Sequence, residues 1–351
     1  MRAFVTGATG YVGQAVMRDL AVHGHQVRAL VRTTSDTRYL DGLPVERVCG
    51  DLRDPQSLRD GMKGCDTLFH VGAAVALWAP DPNEFIDANV VGTRTILRLA
   101  RELGYQKVVY TSSIACVGPN LDGTPANEES IYRWTPNDPY MMSKYMAEME
   151  ALQEVARGCP VVIVNPASCY GEFDYRPSLP GMLVLHFLCG RMKAYIDSTM
   201  NMIDIRDQAR GHVLAAERGT IGERYLIGNE NVRVWDACQM MHEITGLPMP
   251  KFRVPIQVAM AFGLIAQLRA QYVTKKPPSM NYSAMKMGRF HIAYDCSKAV
   301  HELGLELHPV RGGVERAIEW FMNNGYVPEK NQRIYRAHRA RLGASETKAA
   351  A

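Results

Sequence analysis

The run Thr6-Gly7-Ala8-Thr9-Gly10-Tyr11-Val12-Gly13 restricts the fold of this chain more than any other stretch. It lies between a short β-type segment at 2–6 and the helical pattern Val12, Val16, Leu20. Glycines at 7, 10 and 13 permit a tight turn, let backbone N–H groups approach a pyrophosphate and let helix pack against strand. The helix N-terminus adds about half a positive charge. Gly7, Thr9, Gly10, Tyr11 and Val12 would face the phosphates. A purely structural turn is the competing reading; the strand before the loop and the helix after it argue for the cradle.

Further short apolar runs follow at 27–31, 45–49, 67–71, 108–111 and 161–164, with helical patterns at 55–62, 84–103 and 139–155 between them. Continuous apolar strands alternating with amphipathic helices predict an α/β chain with a Rossmann-type, doubly wound parallel sheet covered on both faces. The regularity fails after Pro166, and helical patterns return at 207–218, 234–245 and 310–324. The expected organisation is a cofactor-binding domain over 1–168 with strands contributed from the second half, a substrate-binding lobe over 169–328 and a basic tail over 329–351.

The charge distribution excludes one class of function. There are 40 basic and 36 acidic residues, and the stretch from Glu329 onward holds six basic against two acidic, which accounts for the whole +4. A balanced body lacks the sustained basic surface of a nucleic-acid groove. The eight cysteines are scattered without a C-x-x-C pair and read as small core hydrophobes in a reducing compartment. His186 and His212 stand alone without metal-ligand spacing, so no metal is expected. The opening residues lead directly into a strand, and no window reaches the ~18–20 apolar residues of a membrane span, so a cytoplasmic location is expected.

Cofactor choice in such folds is made at the end of the second strand, where a carboxylate takes the ribose 2′-OH of NAD or an arginine takes the 2′-phosphate of NADP. Here the residue after Val31 is Arg32, and no carboxylate appears before Asp36. NADP(H) is therefore expected; NAD, with Asp36 folded back onto the ribose, is the alternative. Asp51 and Leu52 end the third strand, where a carboxylate accepts from the adenine amine or serves as a turn residue.

Tyr140 and Lys144 stand in Y-x-x-x-K spacing, on one face of a helix whose start is marked by Asp138-Pro139. An ammonium beside a phenol favours phenolate, so the pair can give or take a proton at a carbonyl. The same spacing recurs at Tyr272/Lys276, Tyr282/Lys286, Tyr294/Lys298 and Tyr326/Lys330, all in the irregular half, and these are read as chance. The fifth strand ends Thr111-Ser112-Ser113, and the two serines should face opposite ways. A hydroxyl there can donate to a substrate carbonyl.

Together these motifs resemble the extended short-chain dehydrogenase/reductase family, also described as NAD-dependent epimerase/dehydratase. The resemblance runs from Arg2 to about Val327 and includes Gly50-Asp51-Leu52-Arg53-Asp54, Phe69-His70-Val71-Gly72-Ala73-Ala74, Asn89-Val90-Val91-Gly92-Thr93 and Asn165-Pro166-Ala167-Ser168. The dihydroflavonol 4-reductase-like and 3β-hydroxysteroid dehydrogenase-like branch, with the hopanoid-associated sugar epimerase-like proteins, is the most similar. The resemblance implies Ser113 as the active-site hydroxyl with Gly118 as its marker, and Asn89 as support for Lys144. It also implies Ala73 and Ala74 along the cofactor, with Pro166 and Ser168 at its nicotinamide end. Ile114-Ala115 stand where a dehydratase has Asp-Glu. Met200 stands where sugar-nucleotide enzymes carry the diphosphate-binding arginine.

These readings predict an oxidoreductase acting on a carbonyl or secondary alcohol of an apolar or aromatic small molecule. A sugar epimerase with retained NAD and a non-catalytic redox sensor are the alternatives. The apolar stretches 179–188 and 255–268 admit a substrate tunnel, a packed or dimer-forming helix, or a membrane-surface patch. Helices 84–103 and 139–155 are the candidates for a homodimer seam.

Overall fold

The computed structural model describes every residue except 76–77, 121, 134–137, 279–281, 283–284, 286–290 and 350–351. Strands β1 (Arg2–Thr6), β2 (Gln26–Val31), β3 (Val45–Cys49), β4 (Thr67–His70), β5 (Lys107–Thr111) and β6 (Val161–Pro166) form one parallel sheet. Short strands β7 (Ser168–Tyr170), β8 (Ala194–Tyr195) and β9 (Thr199–Asp204) follow, and β10 (Arg224–Ile227) returns to that sheet. Its order is β10-β6-β5-β4-β1-β2-β3. The chain runs outward from β1 to β3, then crosses to β4 and runs outward the other way. The crevice beside the carboxyl ends of β1 and β4 is thus the topological switch point, where ligands bind in such sheets.

Alternation along the strands feeds two cores. Ala3, Val5, Val27, Ala29, Phe69, Val109 and Val162 pack under helices α1 (Tyr11–Val22) and, further on, Ile205–Arg218. Phe4, Leu30, Leu68, Val108, Tyr110 and Ile163 pack on the other face, under α2 (Pro55–Met62) and the helices that precede and follow β5. Burying both faces is what makes the strands apolar at every position. The helical pattern at 84–103 resolves into a short turn α3 (Asn83–Phe85), a π-helical segment Ile86–Val91 and α4 (Gly92–Glu102). Helix α5 (Pro139–Ala156) packs on α4, bound by Arg94 to Glu150 at 2.6 and 2.8 Å and by Arg101 to Glu154 at 3.0 Å.

The second half has its own apolar cluster among α6 (Leu179–Leu188), α8 (Val234–Thr245) and the later helices, beside a small sheet of β7, β9 and β11 (Glu230–Arg233), whereas α7 (Ile205–Arg218) packs on the large sheet. Helices α9 (Ile256–Arg269), α10 (Ser297–Leu303), α11 (Val310–Asn323) and α12 (Glu329–Ala349) complete the chain. The stretch after Val327, marked in the sequence by its basic charge, is a helix docked on the second-half cluster. Asn331 donates to Leu188 O at 2.6 Å, His338 Nε2 lies 2.8 Å from Glu243 O, and Tyr335 packs on the cluster. Basic side chains on its outer side gave the tail its sequence signature; these contacts come from residues far away in the chain. Tyr39 stacks on Tyr175 at 4.0 Å and ties the two halves together.

The cysteines are free thiols, with Cys116, Cys159, Cys169, Cys238 and Cys296 buried. His212 is a core histidine: Nδ1 lies 2.7 Å from Gln208 O, and burial pushes its pKa down to about 4. Among the described residues no helix is long and apolar enough to cross a membrane.

Candidate active site

The glycine loop closes over the switch point. Gly7 has φ +69°, and a Cβ there would sit 2.6 Å from Gly72 N; one on Gly13 would sit 2.2 Å from Gly7 O. Gly10 N donates to Gly7 O at 2.8 Å, and Gly10 heads α1 with no side chain capping it. The first N–H groups of α1, from Tyr11 and Val12 onward, are thus offered to an anion. Thr9 O accepts from Gln14 Nε2 at 3.3 Å, which steadies the loop. Tyr11 turns its ring inward, and its buried hydroxyl has no partner among the described residues. Thr6 Oγ1 lies 2.8 Å from His70 Nδ1 and accepts from Gly72 N at 3.0 Å, and His70 Nε2 lies 3.0 Å from Thr93 Oγ1. Burial, with the Lys144 charge, pushes the His70 pKa down to about 3, so this strut between β1, β4 and α4 is neutral.

At the end of β2, the Arg32 guanidinium is exposed, while its backbone N donates to Ser35 Oγ at 3.3 Å. Asp36 is gripped by Arg38 at 2.9 and 2.7 Å, which holds its carboxyl well below the usual range. Asp51 is gripped by Arg53 at 2.9 Å through both oxygens, and its pKa is lowered to about 2, chiefly by that pair and with a smaller contribution from Arg32. Asp51 also accepts from Arg53 N at 2.9 Å, so it shapes the turn. Leu52 packs beside Gly92.

Helix α5 begins as its sequence requires: Asp138 accepts from Met141 N at 2.8 Å and Pro139 occupies the first turn. This start aims Tyr140 at the carboxyl edge of β5. Its half-buried ring meets Phe85 edge-on at 6.1 Å. Burial raises the phenol pKa, while the neighbouring Ser113 hydroxyl acts in the opposite direction. One turn on, Lys144 is buried and donates to Thr111 O at 2.8 Å, with its ammonium 5.3 Å from the Tyr110 ring centroid. Burial pushes its pKa down to about 8, against smaller opposing effects of Cys116 and Glu148.

The two serines separate as the strand alternation predicts. Ser113 lies on the site side and accepts from Ala115 N at 3.1 Å, whereas Ser112 turns inward and donates to Glu148. Asn89, on the π-helical segment, donates to Ser143 Oγ at 2.9 Å and to Ala74 O at 3.0 Å, and accepts from Ala74 N at 2.7 Å. It thereby fixes the Ala73-Ala74 peptide against α5. Pro166 ends β6 beside Ile227, and Ser168 begins β7 beside Met202.

Of the other Tyr/Lys pairs, Tyr294 and Lys298 bond elsewhere, to Val117 O and Glu223. Tyr326 donates to Tyr175 O at 2.8 Å, Tyr272 is exposed, and Lys286 lies outside the described residues.

Sequence reasoning missed one group of residues. Glu148 is fully buried on α5, and its carboxylate accepts from Ser112 Oγ, from Asn165 Nδ2 at 2.9 Å and from Arg224 Nη1 at 3.0 Å. Asn165 Nδ2 also donates to Ser113 O at 2.9 Å, so the clamp reaches the serine peptide. The available signal was the i, i+4, i+8 series Tyr140, Lys144, Glu148 on one helix face.

The residues fit a dinucleotide. The glycine cradle would be filled by a Cβ at 7 or 13, and towards the carboxyl ends of β5 and β6 the buried Thr111 Oγ1 and Asn165 Oδ1 have no partner among the described residues. A dinucleotide cradle at a switch point, with Ser, Tyr and Lys at the adjoining strand ends, defines the extended short-chain dehydrogenase/reductase class. The chain belongs to the NAD dependent epimerase/dehydratase family, which it matches over residues 3–228. It is 41% identical to a putative dihydroflavonol 4-reductase of Synechocystis over 92% of this chain and 95% of that one. It is 36% identical to sterol demethylase protein B of Methylococcus capsulatus over 93% of this chain and all of that one. Among solved structures, it superposes on a nucleoside-diphosphate-sugar epimerase from Pseudomonas aeruginosa with a TM-score of 0.78, at 26% identity over 93% of this chain and 99% of that one. Family and reductase-type relatives support an NAD(P)-dependent oxidoreductase.

Proposed function

We propose that the protein is an NADP(H)-dependent oxidoreductase that reduces a ketone, or oxidises the matching secondary alcohol, on a small-to-medium apolar or aromatic molecule. The observation that carries this reading is the placement of the Tyr140 phenol at the carboxyl edge of β5, beside the Ser113 hydroxyl and one helical turn from the buried Lys144. When bound, the dinucleotide supplies or accepts the hydride. Gly7, Thr9, Gly10, Tyr11 and Val12 would hold its phosphates, Ala73, Ala74, Pro166 and Ser168 would line it, and Lys144 would hold its ribose. Ser113 donates to the substrate oxygen as negative charge grows there, and Tyr140 passes its phenolic proton to that oxygen. The Lys144 charge favours the phenolate left behind.

NADP over NAD is supported by the exposed guanidinium of Arg32 and by Asp36, whose carboxylate is already taken by Arg38. A reductase over a sugar epimerase is supported by Met200, which lies in the lobe's apolar cluster with its sulfur 3.3 Å from Tyr170 OH and offers no charge to a substrate diphosphate. A redox sensor has no use for the Tyr140/Lys144 pair. The reading extends to a homodimer through α4 and α5, where Met146 and Leu152 are exposed. The test is to titrate the purified protein with NADPH and NADH, identify any nucleotide released on denaturation, and follow NADPH consumption with a panel of apolar and aromatic ketones. Preferential NADPH affinity with ketone-dependent oxidation supports the reading. Retained NAD with no NADPH affinity overturns it in favour of an epimerase, and dinucleotide binding without turnover in favour of a sensor.

A further inference from the structure

Helix α9 and its continuation through Thr274 reverse the usual arrangement of a surface helix. Its packed side carries small residues: Ala259, Gly263 and Ala270 are buried, and a Cβ on Gly263 would sit 3.1 Å from Tyr282 Cα. Its outward side carries large apolar ones. Val258, Phe262, Ile265, Leu268 and Tyr272, spaced by three or four residues and hence aligned in one stripe, are 44, 60, 63, 49 and 75% exposed. A water-facing stripe on a globular protein is ordinarily polar, and an apolar stripe of this length marks a surface that is covered in use.

The charge around the stripe says what covers it. Between Glu243 and Asp295 the chain has no acidic residue and has seven basic ones. Arg269 borders the stripe, Lys275 and Lys276 follow its end, and none of the three has an acidic partner among the described residues. A second copy of the chain is a poorer occupant: a two-fold interface brings the same patch to both sides, and this segment has no acidic residue with which to meet the basic border. An anionic bilayer supplies both hydrocarbon for the stripe and negative charge for its border. The fourteen-residue helix is shorter than the ~20 residues of a span, which suits a helix lying in the headgroup layer.

We propose that the α9 stripe docks the protein onto an anionic lipid surface, with Arg269, Lys275 and Lys276 meeting the headgroups. The proposal is independent of the chemistry assigned to Tyr140. The experiment is flotation of the full chain with phosphatidylcholine vesicles and with vesicles that also contain phosphatidylglycerol, alongside light scattering for oligomeric state. Binding to the anionic vesicles is expected, weakened by salt. The double variant Phe262→Ser/Ile265→Ser should lower the partition coefficient about a hundredfold. Lys275→Ala and Lys276→Ala should each lower it about fivefold. Unchanged circular dichroism and NADPH affinity in these variants establish that the fold is intact. Failure of the native protein to float with anionic vesicles overturns the proposal. So does a Phe262→Ser/Ile265→Ser variant that floats as before, or one whose only change is conversion of a dimer to a monomer, which would assign the stripe to a second copy.

Discussion

Helices α5 and α9 invert each other. Helix α5 buries Lys144, Glu148, Glu150 and Glu154, whereas α9 sends Phe262 and Ile265 into solvent. Neither arrangement is what hydropathy alone favours, since burying a charge costs far more than leaving it in water unless it is paired and hydrogen-bonded. In α5 the partners are present: Thr111 O for Lys144, Arg224, Ser112 and Asn165 for Glu148, Arg94 for Glu150, Arg101 for Glu154. In α9 none of the outward side chains has a place in the core. The charged side chains of α5 are held by polar partners inside the fold, whereas the large apolar side chains of α9 face outward.

The largest effect is expected on α5, where Lys144→Met should lower the ketone reduction rate by about a hundredfold to ten-thousandfold. Stability should not fall with it. The folded pKa of Lys144 is about 8 against 10.5 for a free lysine, so the folded state disfavours its charged form. That disadvantage holds at neutral pH and fades as pH rises from about 8 towards 10.5, because the unfolded chain then binds the extra proton. Denaturant unfolding at neutral pH should show the variant at least as stable as the native protein. The same titration should bend the pH profile of kcat/KM for reduction downwards above about pH 8 as the ammonium is lost, and a flat profile through that region would contradict the assignment.

Glu148→Leu removes the carboxylate that three donors share and should cost about 3 kcal/mol in urea unfolding, since Arg224 is left with its charge unpaired. Arg32→Ala should weaken NADPH binding about tenfold and leave NADH binding nearly unchanged, as read by calorimetry. The smallest effect falls on the other helix: Phe262→Ser should change unfolding free energy by no more than about 0.5 kcal/mol. A larger loss there would show that the stripe serves the fold of the isolated chain.

Much of α5 was legible in the sequence because its determinants are local. Asp138-Pro139 announced its start, the i, i+4 spacing paired Tyr140 with Lys144, and strand alternation separated Ser112 from Ser113. Glu148 was marked only by sharing a helix face with Tyr140 and Lys144, because a glutamate on a helix reads as a solvated residue until Arg224 and Asn165, far along the chain, are folded around it. The π-helical segment that aims Asn89 at Ser143 was hidden inside a continuous helical pattern. The docking of α12 rests on Asn331 and His338, two polar residues in a charged stretch. For α9 the composition is apolar on every face, so periodicity could not choose between a tunnel wall, an interface and a surface patch.

In the proposed reduction Tyr140 delivers the proton, and the decisive variant is Tyr140→Phe. NADPH affinity and NADPH-dependent ketone reduction should be measured side by side on the native protein and the variant. NADPH affinity should be unchanged in the variant and turnover reduced at least about a hundredfold. Turnover at the native rate in Tyr140→Phe would contradict it.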